Sequence, residues 1–198
     1  MNRHQKIKRM KLVKIFALFL SAVVLVNTAN AQEKMTNEKT VNVGGAPMYP
    51  SKNIIENAVN SKDHTTLVAA VKAAGLVETL QGAGPFTVFA PTNEAFDKLP
   101  KGTVDNLVKP ENKATLTKIL TYHVIAGNYD AKAIADLIKA GNGKAMLKTV
   151  SGGTLTFWMK GPKLMLTDEK GNMAAVTIKN VYQSNGVIHV IDTVLMPS

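Results

Sequence analysis

With 198 residues, of which 45% are hydrophobic, the chain suffices for one ordinary domain of about 100–200 residues with a substantial core. It has 24 Lys and Arg against 14 Asp and Glu, a formal charge of +10, and no cysteine. The missing thiols exclude disulfides, thiolate metal sites, iron–sulfur clusters and thiol chemistry.

The charge is unevenly placed. Arg3, Lys6, Lys8, Arg9, Lys11 and Lys14 open the chain, an apolar run extends from Ile15 to Val26, and Ala29-Asn30-Ala31 closes it. A basic start, a short apolar middle and an A-x-A end predict a secretory signal peptide over residues 1–31. The product is expected to be exported, periplasmic or secreted, with no membrane insertion once the leader is gone. Cleavage removes six of the 24 basic residues and none of the 14 acidic ones, leaving 18 against 14, a net of about +4. Both arginines go with the leader. Without the residue best suited to bidentate phosphate and guanine contacts, the remainder is not a nucleic-acid binder. Its lysines also look scattered, with no basic stripe.

Residues 32–50 are polar and then carry Gly44-Gly45 and Pro47, which reads as a flexible N-terminal arm. Ser51 is placed to cap a short helix bearing Ile54, Ile55 and Val59. Leu67, Ala70, Val71 and Ala74 fall on one helical face that Gly75 ends. Phe86 to Phe89 reads as a short buried strand closed by Ala90-Pro91, after which Thr92 caps a helix through Ala95 and Phe96. Leu116, Ile119, Leu120 and His123 share another face. Asp130 caps a helix with Ile134, Leu137 and Ile138 inward.

From Lys144 onward the pattern changes to short β segments parted by Gly and Asx turns: 145–150, 154–160, 163–167, 174–183 and 186–196. Asn185-Gly186 reads as a hairpin turn, since both residues tolerate positive φ. Helices first and strands afterwards predict an α+β domain.

Three segments carry a family resemblance. Thr87-Val88-Phe89-Ala90-Pro91-Thr92-Asn93-Glu94-Ala95-Phe96 resembles the first signature of the fasciclin domain family. Tyr122-His123-Val124 is similar to its central Tyr-His motif. Asn185-Gly186-Val187-Ile188-His189-Val190-Ile191-Asp192 resembles its second signature. The resemblance covers 51–198 and implies helices packed on a two-sheet β wedge, with a non-enzymatic role in adhesion, matrix or partner binding. Thr87, Phe89, Pro91, Thr92, Phe96, Asn185, Gly186, His189 and Asp192 are then structural, and Tyr122, His123 and Val124 are candidates for contacting the partner. His123, on an apolar helix face, and His189, in an apolar strand, are otherwise expected to be buried and hydrogen-bonded to neighbouring backbone or hydroxyls.

No catalytic, cofactor or metal site is expected. G-x-S-x-G, H-E-x-x-H and S-x-x-K with its partners are absent, and the glycines around Gly82 and Gly141 do not form a phosphate loop. His64, His123 and His189 lack ligand spacing. Met146, Met159, Met165 and Met173 sit on different β segments, where gap-filling is their usual use. Adjacent Phe157 and Trp158 must face opposite sides of a strand, so one is expected in the core. The other either forms an aromatic patch suited to sugars or a protein or is covered by helices or the N-terminal arm. The expected partner is therefore a surface or matrix polysaccharide or protein, bound by a monomer. The alternative is a carrier of a small apolar ligand in a cleft between helices and wedge.

Overall fold

The computed structural model describes residues 38–198, so the leader expected over 1–31 and the beginning of the arm lie outside the described residues. The expected flexible arm gives way to a hairpin. Val41–Val43 (β1) and Ala46–Met48 (β2) pair antiparallel around Gly44 and Gly45, at φ 59° and 78°. Val43 and Met48 are each only 3% exposed, so the hairpin is part of the core. Two adjacent glycines look like slack in a sequence, yet here they make the turn. Gly44 is further held by its carbonyl accepting from the Lys62 backbone N–H at 3.1 Å.

The helical half comes next. Asn53, two residues beyond Ser51, caps α1 (Ile54–Ala58). Its Oδ1 accepts from the Glu56 N–H at 2.9 Å while the Glu56 carboxylate accepts from the Asn53 N–H at 2.8 Å. This reciprocal pair satisfies two otherwise orphaned donors. The helix ends before Val59, which is exposed rather than inward. Next, α2 (Thr65–Ala74) buries Leu67, Ala70, Val71 and Ala74 and stops at left-handed Gly75. Then come α3 (Val77–Gln81), β3 (Phe86–Pro91), α4 (Asn93–Asp97) and α5 (Thr103–Leu107). After them α6 (Lys113–Tyr122) buries Leu116, Ile119 and Leu120. β4 (Val124–Ala126) leads to α7 (Ala131–Ala140), whose buried stripe is Ile134 and Ile138; Leu137, expected inward, is half outside.

The β half comprises β5 (Lys144–Lys148), β6 (Thr154–Lys160), β7 (Lys163–Thr167), β8 (Met173–Gln183) and β9 (Gly186–Ile191). Seven strands run in the order β4-β3-β9-β8-β7-β6-β5. β8 makes the wedge. It pairs with β7 through Met173–Ala175 and with β9 from Val176 to Gln183, and its register shifts twice between Val176 and Val181. Extra residues in one strand bend it and sharpen its twist, so the sheet folds into two arms about β8.

Two clusters result. Helices α1, α2 and α6 pack Ile54, Val71 and Leu120 on one face of β3 and β9, meeting Val88, Ala90, Ile188 and Val190. The opposite face turns Phe89 and Ile191 into the wedge, against Tyr122, Leu155, Phe157, Leu166 and Leu195. Both faces of β3 and β9 are thus covered, which explains the near-continuous apolar runs. Their parallel pairing, Phe86 with Gly186 through Pro91 with Ile191, sets the two signature segments side by side.

Candidate functional site

Helix α6 delivers Tyr122 and His123 to the seam between the arms, and the structure turns both inward. Tyr122 is 0% exposed, His123 3% and Val124 6%. The Tyr122 hydroxyl donates to the Thr154 carbonyl at 2.8 Å and accepts from the Glu169 N–H at 3.2 Å. Burial pushes its pKa up to about 12. His123 Nε2 accepts from the Leu195 N–H at 3.1 Å, so the ring proton sits on Nδ1, which donates to the Ile119 carbonyl at 2.9 Å. No polar atom of the pair is left for a partner. This geometry favours the structural reading of His123 over contact with a partner: Tyr122 and His123 tie the β6 and C-terminal segments to α6. The C-terminal segment is held again where the Met196 N–H donates to Asp168 Oδ2 at 2.9 Å.

The remaining motif residues are ties of the same kind. The Thr87 hydroxyl donates to the Gly127 carbonyl at 2.7 Å and accepts from the Tyr129 N–H at 2.8 Å. Phe89 stacks on His189 at 5.4 Å between ring centroids, and Pro91 ends β3. Thr92 Oγ1 accepts from the Ala95 N–H at 3.3 Å, and Phe96 is buried. Asp192 Oδ1 accepts from the Ala175 N–H at 2.9 Å. At the β8–β9 turn neither Asn185 nor Gly186 has positive φ. Asn185 is there for its side chain: Oδ1 accepts from the Ile54 N–H at 3.0 Å, and Nδ2 donates to the Leu80 and Gly82 carbonyls, each at 2.8 Å. Gly186 is there for contact, since a Cβ would lie 2.0 Å from the Phe86 carbonyl oxygen. Asn185→Ala is expected to cost about 2–3 kcal/mol, because three backbone groups lose their partner. A urea midpoint unchanged from wild type would refute this.

Two further histidines are interior. His189 Nε2 donates to the Tyr129 carbonyl at 3.0 Å, leaving Nδ1 without a hydrogen-bond partner. His64 Nδ1 meets the Ser61 hydroxyl at 2.9 Å, and its Nε2 likewise lacks a partner. Burial lowers the pKa of His64, His123 and His189 below the ordinary 6.5. His64 and His123 border an apolar cavity of about 90 Å³ between the helices and the sheet. Among the described residues no three His, Asp or Glu side chains converge as metal ligands.

The fasciclin domain model matches residues 62–197. The chain belongs to the fasciclin family. A Synechocystis protein, sll1483, is 45% identical over 92% of this chain and 91% of its own length. Immunogenic protein MPB70 and cell surface glycolipoprotein MPB83, both of Mycobacterium bovis, are each 39% identical over 71% of this chain, covering 66% and 58% of themselves. A FAS1 domain pair from the insect cell adhesion molecule Fasciclin I shares the fold. Its TM-score is 0.66 at 18% identity, over 75% of this chain and 52% of the pair.

Most of the side chains of the fasciclin signatures face inward, and two other surfaces stand out. A cleft of about 720 Å³ opens where β8 leaves β7, bordered by Lys132, Lys163 and Lys179. Lys132 is already paired with Asp136 at 2.7 Å. The second surface is the outer side of β5–β8. Phe157 enters the core, whereas Trp158 lies half-buried on this outer side, its indole N–H donating to Thr167 Oγ1 at 3.0 Å. Met146 and Met173 are 71% and 56% exposed, so they are not the gap-fillers their sequence positions suggest. Strand alternation was the available signal: Lys144, Met146 and Lys148 share one parity, as do Thr154, Thr156, Trp158 and Lys160.

Proposed function

We propose that this fasciclin domain is exported and serves in adhesion, binding a cell-surface or matrix polysaccharide or protein as a monomer without catalysing a reaction. The carrying observation is that a fasciclin domain built around buried signatures exposes an apolar, lysine-bearing sheet face. Support comes from two relatives by their descriptions: MPB83 is a cell surface glycolipoprotein, and the insect Fasciclin I is a cell adhesion molecule. Among the described residues no helix is long and apolar enough to cross a membrane.

The rival reading, carriage of a small apolar ligand, has the helix–sheet cavity in its favour. Its volume of about 90 Å³ is the difficulty, because ligand pockets are typically some 300–1,000 Å³. Adhesion is therefore the better reading. Beads coated with residues 32–198, checked for folding by a thermal melt, should be retained by the producing cells or their extracted surface polymers. Retention should disappear when soluble domain is added. Folded protein with no retention on any surface fraction would overturn the adhesion reading.

A further inference from the structure

The strand register assembles a surface that no stretch of the sequence displays. Pairing places Lys144, Trp158, Met165 and Ala175 in one row across β5, β6, β7 and β8. A second row is Met146, Thr156, Thr167 and Met173, and Lys148 with Thr154 begins a third. Lys160 and Lys163 face each other at the opposite end. Successive outward positions alternate with buried Ala145, Leu155, Phe157, Leu164, Leu166 and Ala174, which confirms the side on which these rows lie.

The charge on this surface has one sign. Strands β5–β8 contain no Asp or Glu. Lys144, Lys148, Lys160 and Lys163 are all exposed, and these four equal the whole net excess of about +4 in residues 32–198. The carboxylates that reach the rim of the face are engaged by the backbone: Glu169 accepts from the Thr154 N–H at 2.9 Å and is bonded by Ser198, and Asp192 accepts from the Ala175 N–H at 2.9 Å. The lysines thus border a centre of one indole, three threonines and three methionines.

Charge and shape favour one partner. With strands about 4.8 Å apart and a rise of about 3.3 Å per residue, the backbone of the face spans roughly 14 by 20 Å. The single sign of charge suits a polymer that carries repeated anionic groups. A linear polyanion needs only a track. We infer that the outer face of β5–β8 is a binding track for an acidic polysaccharide, with Trp158 as the stacking platform and Lys144, Lys148, Lys160 and Lys163 as the contacts to its carboxylate or sulfate groups. The Trp158–Thr167 bond fixes the indole in advance, so little side-chain freedom is lost on binding. The threonine hydroxyls supply donors and acceptors at the spacing of the rows. This rests on the adhesion reading and names its surface and ligand class.

The test measures binding of polygalacturonate, neutral dextran and poly-glutamate to the folded 32–198 protein, alongside the bead assay. Polygalacturonate should bind in a salt-sensitive way and dextran weakly. Lys160→Glu with Lys163→Glu should weaken polygalacturonate about tenfold. Trp158→Leu should weaken it roughly fivefold, with its melt showing the fold intact. Reversal of Lys72 and Lys113, on helices away from the face, should leave binding unchanged. Equal losses from face and control reversals would overturn the assigned surface. Poly-glutamate binding as tightly as polygalacturonate would overturn the polysaccharide class. Bead retention that survives every face variant would overturn this inference while leaving adhesion standing, whereas no retention by wild type removes both.

Discussion

Lowering the pH from 7.5 to 5 is expected to destabilise this domain steeply, with the loss beginning near 6.5. His64, His123 and His189 are at most 3% exposed, and burial holds each below the ordinary histidine pKa of 6.5. The unfolded chain regains that ordinary value. Below it the unfolded state therefore binds protons that the folded state refuses, and stability falls as pH falls. Each histidine contributes at most about 1.4 kcal/mol per pH unit, so about 4 kcal/mol per unit is the upper bound for three, reached only while all three stay neutral in the folded state. Carboxylates act in a separate window. Asp130, lowered from 3.8 chiefly by the Ala133 N–H, and Glu169, lowered from 4.5 chiefly by the Ser198 hydroxyl, lose their contribution only below those values. Urea unfolding at pH 7.5, 6.5, 5.5 and 5.0 checks this. A midpoint that stays flat down to pH 5 would show that the imidazoles are charged, or reachable by protons, in the folded state.

His123→Ala is expected to cost about 3–5 kcal/mol, and the reason is connectivity as much as volume. The substitution leaves the Ile119 carbonyl and the Leu195 N–H buried and unpaired, about 1–3 kcal/mol each, and opens a hole beside the small cavity that His123 already borders. At roughly 2–4 °C per kcal/mol for a domain of this size, the melting temperature should fall by about 10 °C. His123→Phe restores volume without the hydrogen bonds and should recover only part of the loss. Because His123 is one of the three histidines that resist protonation in the folded state, the acid slope of His123→Phe should become shallower. Wild-type melting of His123→Ala would mean that the C-terminal segment is held without this ring. Weakened polysaccharide binding by a fully stable His123→Phe would return the Tyr-His motif to the partner surface.

Much of the helical half was legible from local chemistry. Leu67, Ala70, Val71 and Ala74 repeat at the period of one helix face, Gly75 ends it, and Thr92 and Asp130 cap their helices. Local reasoning failed where a residue's partner is remote. Ser51 looked like the cap, but Asn53 owns the reciprocal bond with Glu56. Gly44-Gly45 looked slack, and only packing of Val43 and Met48 against the helices makes it a turn. Asn185-Gly186 marked the hairpin correctly while the reason was elsewhere, in Ile54, Leu80, Gly82 and Phe86.

Most helix faces, the strand alternation, the α+β order and the fasciclin resemblance are legible in the chain alone, because each depends on spacings of a few residues. Val59 and Leu137 lie at the margins of their faces and turn outward. Burial of His123 and His189 follows from their apolar surroundings in the chain, but the partners that satisfy the buried polar groups come from tertiary contacts. Tyr122 and His123 carry the chemistry of a recognition motif, yet remote Thr154, Glu169 and Leu195, with Ile119 on the same helix, use the Tyr122 hydroxyl and both His123 ring nitrogens. The same holds for the lysines, which look scattered in sequence from 144 to 163. Antiparallel register sets Lys144 beside Trp158, with Lys160 and Lys163 at one end of the same face and Lys148 at the other. Side-chain parity is a property of a strand, but the neighbours across a sheet are set by loops and by the bend in β8, and no local pattern encodes them.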